Sequence, residues 1–120
     1  MTLDEFRREM EAYRQDVVRQ AIKLRDGHHA IDRMRALYRQ FDAAERLMAD
    51  QVLAEWSLSD DENMRSYGEA LIDDFRIVTA RKALESLAER LASSGDVGAP
   101  YEIEKVNRII ENLRGKNKPV

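Results

Sequence analysis

Residues 59–91 read SDDENMRSYGEALIDDFRIVTARKALESLAERL, and this stretch decides the fold. Its apolar residues recur every three or four positions on both sides of a break at residues 77–79, a pattern typical of amphipathic helices. Two helices joined by so short a turn are expected to lie antiparallel. Each has one apolar side, so we expect the rest of the chain to cover this hairpin with further helices.

The composition favours an all-α fold with one core. The 120 residues are 43% hydrophobic and 36% charged, with only 5 Gly and 2 Pro, which is typical of helices with charged outer faces. A chain of this length is expected to form a single domain. Cysteine is absent, which excludes disulfides and cysteine-based metal or nucleophile sites.

The first half of the chain predicts a long helical hairpin. Thr2 and Glu5 form a capping-box signature, and Gly27 can end a helix, so one helix is expected over residues 3–26. A second helix is expected over residues 29–57, antiparallel to the first. The apolar stripe of the first helix is Leu3, Phe6, Met10, Tyr13, Val17, Ala21 and Leu24, and that of the second is Ile31, Met34, Leu37, Tyr38, Phe41, Ala44, Leu47, Met48 and Val52.

A shorter hairpin is expected over residues 59–92. Ser59 and Glu62 form a second capping-box signature at its start. Gly68 lies on the apolar face, where the lack of a side chain would let another backbone approach closely. Thr79 is the expected N-cap of the next helix.

The C-terminal part predicts one closing helix. Pro100 suits the first turn of a helix over residues 100–114, and residues 115–120 are expected to be a flexible tail. The prediction is therefore a single all-α domain spanning the whole chain. Its five helices comprise the long hairpin of residues 1–57, the hairpin of residues 59–92 and the closing helix.

The stretch from Asp60 to Leu91 resembles a HEAT-type helical repeat. The resemblance rests on an acidic start, a short turn and the spacing of Met64, Arg65, Gly68, Leu71, Ile72, Phe75, Ala83, Leu84, Leu87 and Leu91. It implies stacked helical layers, with the N-terminal hairpin as a cap and residues 100–113 as a further half-repeat. Glu69 departs from the family pattern, in which small residues usually lie on both sides of the position of Gly68.

A second resemblance concerns function. The chain resembles small bacterial immunity proteins of toxin–immunity systems. The resemblance rests on its length, its helical layout and the stretches LAEWSLSDDE (residues 53–62) and APYEIEKVNRII (residues 99–110). This resemblance implies a protein that binds one partner tightly. The implied partner is a cognate toxin, which the chain would neutralise.

Acidic residues cluster within residues 55–74. They are Glu55, Asp60, Asp61, Glu62, Glu69, Asp73 and Asp74. Arg65 is the one basic residue of this segment, so its balance is −6, whereas the net charge of the whole chain is −3. Glu62, Glu69 and Asp73 fall near one helix face and are expected to present a negative stripe to a basic partner. The alternative is a capped helix face that is simply solvated.

Other candidate sites lack the pattern that their chemistry requires. His28 and His29 are adjacent and point in different directions, so we expect a polar turn in place of a metal pair or a general base. Acidic residues interrupt the basic residues of the second predicted helix, and only the tail is locally basic, so no nucleic-acid surface is expected. Those basic residues are Arg33, Arg35, Arg39, Arg46, Arg81, Lys82, Arg114, Lys116 and Lys118. No phosphate loop, nucleophile elbow or H-E-x-x-H motif occurs, so neither a cofactor nor enzymatic activity is expected.

The sequence thus favours a non-catalytic protein-binding module, most concretely an immunity-type protein that neutralises a basic toxin domain through an acidic helical face. The alternative is a structural or regulatory protein that forms a homodimer through the near-heptad seam of its first helix. An enzyme ranks third. No apolar stretch reaches the roughly 20 residues that span a bilayer, so no membrane association is expected and the cytoplasm is the expected location.

Overall fold

The computed structural model describes residues 1–115, and all regular structure in that range is helical. The α-helices are α1 (Leu3–Leu24), α2 (His29–Gln40), α3 (Ala43–Ser57), α4 (Glu62–Phe75), α5 (Arg81–Ser94) and α6 (Ala99–Leu113). The all-α prediction is confirmed for these residues. The count of five helices is wrong, because the predicted second helix is divided into α2 and α3. The expected flexible tail lies, beyond Gly115, outside the described residues.

Two compact units make up the chain, Met1–Val52 and Leu53–Val120, and the division falls inside α3. Each unit has buried apolar side chains of its own. In the first unit they are Phe6, Met10, Val17, Ala30, Met34, Tyr38, Ala49 and Val52. In the second they are Leu53, Trp56, Leu71, Ile72, Ile77, Ala80, Leu84, Leu87, Leu91, Ala99, Val106, Ile109, Ile110 and Leu113.

In the first unit α1 packs against α2 as an antiparallel pair. The Tyr13 hydroxyl donates to the Arg33 carbonyl at 3.4 Å, while Gln20 Oε1 and His29 Nε2 lie 2.9 Å apart. Residues later in α1 therefore contact residues earlier in α2, as expected for antiparallel helices. The ring of Phe6 packs against that of Phe41 at the open end of the pair, with centroids 5.2 Å apart.

The break between α2 and α3 lies at Phe41 and Asp42. Phe41 has extended backbone angles (φ −68°, ψ 138°), which end α2. The Asp42 carboxylate accepts from the backbone N–H of Glu45 at 2.8 Å, and the Glu45 carboxylate accepts from the N–H of Asp42 at 2.9 Å. This reciprocal capping box starts a new helix. Because the break shifts the helical phase, Leu47 of the predicted stripe lies exposed, whereas Ala49 is buried.

The start of α1 agrees with the prediction and its end does not. The Thr2–Glu5 capping box is present. The helix ends at Leu24, and its left-handed C-cap is Arg25 (φ 52°), not the expected Gly27. Leu24 is 62% exposed, so the buried stripe of α1 stops before it.

In the second unit, two of the expected caps are replaced by neighbouring residues. Asp61 caps α4, since its carboxylate accepts from the backbone N–H groups of Asn63 and Met64, and the predicted N-cap Ser59 lies outside the helix. Thr79 does not cap α5, because it lies within a 3-10 turn, Val78–Ala80, that precedes this helix.

Two other features of the second unit follow the sequence prediction. Gly68 is buried where a Cβ would lie 2.8 Å from the backbone nitrogen of Ser57, which confirms the close approach of α3. Pro100 lies in the first turn of α6. The helix α6 packs against both α5 and α4.

Candidate functional site

The polar face of α4 meets α6 in a seam of charged and polar pairs, all within the second unit. The pairs are Arg65 with Glu102, Glu69 with Lys105, and Asp73 with Asn112. Because the pairs advance along both helices in the same direction, α4 and α6 run parallel. We call these six residues the α4–α6 seam.

Glu69 lies at the centre of the seam, and its side chain is only 1% exposed. Lys105 Nζ donates to Glu69 Oε1 at 3.1 Å, and Arg65 Nε lies 4.0 Å from Oε2. Within residues 1–115, Oε2 is buried and receives no hydrogen bond. A buried carboxylate oxygen left in this way is costly unless it carries a proton.

Arg65 holds Glu102 by a bidentate ion pair. Its Nε and Nη2 donate to the two carboxylate oxygens at 2.6 and 3.0 Å, and Nη1 donates to the Ser59 carbonyl at 3.1 Å. Two parallel N–H donors match the geometry of a carboxylate, so this pair is the strongest type of ionic contact between side chains. It joins the first turns of α4 and α6.

Glu69 and Glu102 have pKa values displaced in opposite directions. Burial, together with a hydrogen bond to Glu102, raises the pKa of Glu69 to about 7, against the lowering influence of Lys105. Burial also acts to raise the pKa of Glu102, but hydrogen bonds from Arg65 and Glu69 outweigh it, so this pKa lies below the ordinary value. The raised pKa of Glu69 favours the protonated form of its carboxyl group at pH values below neutrality.

An open hollow of about 360 Å³ lies beside the seam, between α4 and the start of α6. Its charged and aromatic lining comprises Glu62, Arg65, Glu69, Tyr101, Glu102 and Lys105. The Glu62 carboxylate is 90% exposed, and Tyr101 is 81% exposed. The hollow thus combines an exposed carboxylate and an exposed aromatic ring at its mouth with a buried carboxyl group in its wall.

The seven predicted site residues are only partly brought together. Glu69 is buried and Asp73 is half-buried against α6, so the predicted negative stripe is wrong for two of its three members. Asp60, Asp61 and Glu62 remain together and exposed at the start of α4. Glu55 and Asp74 are exposed too, but they do not line the hollow.

Cations from distant segments reduce the charge that the acidic segment presents. Arg90 of α5 donates to the Leu58 carbonyl at 2.6 Å and approaches Asp60 Oδ1 at 3.8 Å. Lys105 of α6 pairs with Glu69. The balance of −6 within residues 55–74 counted Arg65 alone, and it could not include cations that only the fold brings near.

Sequence reasoning missed three residues of the site, Tyr101, Glu102 and Lys105. The spacing of Glu102 and Lys105 places them one turn apart on one face of α6, which is the available signal. That spacing alone predicts a solvated pair. Their role is visible only when α6 is laid beside α4.

A second buried polar cluster lies in the first unit. The Tyr38 hydroxyl donates to Asp50 Oδ1 at 2.7 Å, and the Arg46 guanidinium lies over the Tyr38 ring, 5.4 Å from its centroid. Burial raises the pKa of both Tyr38 and Asp50. This cluster joins α2 to α3.

The remaining candidate residues occupy turns and exposed helix faces. His28 precedes α2, where its backbone N–H donates to Asp26, and His29 contacts Gln20. Arg35 pairs with Asp32 at 3.0 Å, and among the basic residues named from the sequence, Lys116 and Lys118 lie outside the described residues. Across the described part of the chain, no three His, Asp or Glu side chains are placed to hold a metal ion. No helix in the same range is long and apolar enough to cross a bilayer.

No family model matches the sequence, and no curated protein and no solved structure shows significant similarity to it. The geometry of the seam and the hollow is therefore the ground on which a function can be argued.

Proposed function

We propose that this chain is a non-catalytic protein-binding module, and that it binds a basic partner at the surface formed by Asp60, Asp61, Glu62 and Tyr101. We call this the acidic rim. The partner that the likeness to bacterial immunity proteins implies is a cognate toxin, which binding would neutralise. A cytoplasmic location belongs to the same proposal.

One observation carries the proposal. Asp60, Asp61 and Glu62 stay exposed at the start of α4, and Glu62 lines the same hollow as the ring of Tyr101, which is 81% exposed. Exposed tyrosines next to a concavity are typical of residues that contribute most to binding energy in protein interfaces. Carboxylates around such a residue speed association with a basic partner and select against acidic ones.

Capture of a partner tests the proposal. The protein would be immobilised and exposed to the purified products of neighbouring genes, with binding kinetics measured at low and at high salt. We expect a basic protein to bind and the double substitution Asp60→Ser and Glu62→Ser to slow its association by about tenfold at low salt. Asp61 is left unchanged because it caps α4.

The matched control is Glu104→Ser, which removes an exposed carboxylate from α6 at a position that does not line the hollow. This variant should bind like the wild type. A loss for the control of at least half that of the double variant, in free energy of activation for association, would reduce the effect to net charge and count against the acidic rim, because the control removes one carboxylate and the double variant removes two. Failure of every basic neighbour to bind would count against the function itself.

Self-association is the second candidate, and one feature of the first unit favours it. A mainly apolar hollow of about 180 Å³ is lined by Phe6, Met10, Tyr13, Leu37 and Phe41, together with the carboxylate residue Glu9. Phe6 and Met10 are buried, whereas Tyr13, Leu37 and Phe41 are partly exposed, and partly exposed apolar side chains around a hollow can pack against a second copy of the chain. Light scattering over a range of concentrations discriminates between the two candidates. A stable dimer that does not bind the basic products of neighbouring genes would favour self-association.

A further inference from the structure

The wall of the hollow beside the α4–α6 seam contains a buried carboxylate oxygen without a hydrogen-bond partner, and its rim carries an exposed carboxylate. All three of the Arg65 nitrogens that bear hydrogens are engaged, by Glu102 and by the Ser59 carbonyl. Among the described residues, Glu69 Oε2 receives no hydrogen bond although it is buried. The Glu62 carboxylate lies 90% exposed at the rim, 3.8 Å from the nearest Arg65 nitrogen.

We propose that this hollow binds one basic side chain of the partner protein, a lysine ammonium or an arginine guanidinium, held between the carboxylates of Glu62 and Glu69. The aliphatic stem of the incoming side chain lies against the Tyr101 ring. This inference rests on the proposed function, because it names how the basic partner is recognised.

The charges of the hollow favour a cation over an anion. With Glu69 ionised, the carboxylates of Glu62, Glu69 and Glu102 outnumber the cations of Arg65 and Lys105 by one. An ammonium or guanidinium group would restore neutrality and donate to Glu69 Oε2 and to the exposed Glu62 carboxylate. An exposed aromatic ring at the mouth stabilises a cation further. An anion would instead meet three carboxylates.

A proton competes with the incoming cation. The charged groups facing Glu69 are Arg65 and Glu62 on its own helix and Glu102 and Lys105 on α6, while α3 meets α4 at Gly68 through backbone atoms. Burial raises the pKa of Glu69 to about 7, so near pH 6 the site is mostly neutralised by its own proton. Cation binding and proton release are therefore linked.

The isolated protein can be tested with a small probe. The probe is N-acetyl-lysine-N-methylamide, titrated into labelled protein while the NMR signals of Tyr101 and Lys105 are followed, with N-acetyl-norleucine-N-methylamide as the neutral analogue. We expect saturable shifts with the lysine probe only. Binding should be about tenfold weaker near pH 6 than near pH 8, because only about a tenth of Glu69 is then ionised.

Two variants test whether the probe binds in the hollow. Glu69→Gln keeps the size of the side chain. It should weaken the binding of the probe and abolish the dependence of that binding on pH. Tyr101→Ala changes a residue that is 81% exposed, so we expect the fold to be retained and binding of the probe to be weaker. Glu104→Gln, on the same helix and away from the hollow, should leave probe binding unchanged.

Absence of saturable shifts, or equal binding by wild type and Glu69→Gln, would overturn the inference. These results are independent of the capture experiment. A partner that binds through the acidic rim while the probe does not bind would retain the proposed function and remove this mode of recognition. A probe that binds in the expected way while no basic partner is captured would retain the cation site and count against the proposed function.

Discussion

At the scale of the residue, Glu69 is the side chain whose environment departs most from expectation. It was expected on an exposed negative stripe, and it is buried between a lysine and another carboxylate. Its position on the inner side of the acidic face was predictable from helical spacing. Its burial was not, because Glu102 and Lys105 lie more than thirty residues further along the chain and no local pattern links them to α4.

The titration of Glu69 can be measured directly. We expect its carboxyl carbon, followed by ¹³C NMR and assigned by the signal that disappears in Glu69→Gln, to titrate with a midpoint of about 7. The carboxyl carbon of Glu102 should titrate below the ordinary glutamate range, because Arg65 and Glu69 donate to it. If both carbons titrated together near the ordinary value of about 4.3, the two side chains would not share a buried proton.

At the scale of the element, helices were easier to predict than their ends. Periodicity identified the helical segments, and the Thr2–Glu5 capping box and Pro100 correctly placed two helix starts. The division of the predicted second helix was missed because its apolar residues continue across it. The D-A-A-E sequence at Asp42–Glu45 is itself a capping-box pattern, so the sequence contains a signal for the break that the prediction does not use.

Two other helix ends could not be predicted because arginine, which is not a typical C-cap residue, occupies the C-cap position. Arg25 and Arg76 adopt left-handed backbone conformations at the C-caps of α1 and α4, which glycine would normally occupy. Arg76 also donates to the Asn112 carbonyl at 2.8 Å, a contact with α6 that helps to hold its position. At Arg76 the left-handed conformation is thus accompanied by a tertiary contact that the local sequence does not encode.

The approach of α3 to α4 depends on Gly68. A Cβ there would lie 2.8 Å from Ser57 N, 3.0 Å from Leu53 O and 3.1 Å from Trp56 C, and all three are backbone atoms that cannot rotate away. We expect Gly68→Ala to lower the free energy of unfolding by about 1–3 kcal/mol, although alanine is the better helix former. Urea denaturation measures the change.

Gly27→Ala is the matched control for that experiment. No atom lies within 4 Å of the Cβ that it would add, so its stability should stay within about 0.5 kcal/mol of the wild type. A Gly68→Ala variant as stable as the control would show that α3 and α4 do not approach so closely.

At the scale of the whole molecule, the α4–α6 seam links stability to the proposed function. Two ion pairs and one amide contact form the seam that holds α6 beside α4. The Glu69 carboxyl group, which belongs to one of these ion pairs, also forms part of the wall of the hollow. Burying an ionisable group that is only partly paired costs stability. Such a cost is expected where the group also serves in binding, because a fully satisfied carboxylate would have little affinity for an incoming cation.

The free energy of unfolding as a function of pH tests the buried state of Glu69 most directly. A carboxyl group whose pKa is raised from 4.5 to about 7 on folding stabilises the folded state less and less as pH rises between those values. From pH 5 to pH 8 we expect the wild type to lose on the order of 3 kcal/mol relative to Glu69→Gln, measured by urea denaturation of both proteins in the same buffers. Parallel curves for the two proteins would contradict the account, because they would show that Glu69 is ionised at no cost in the folded chain.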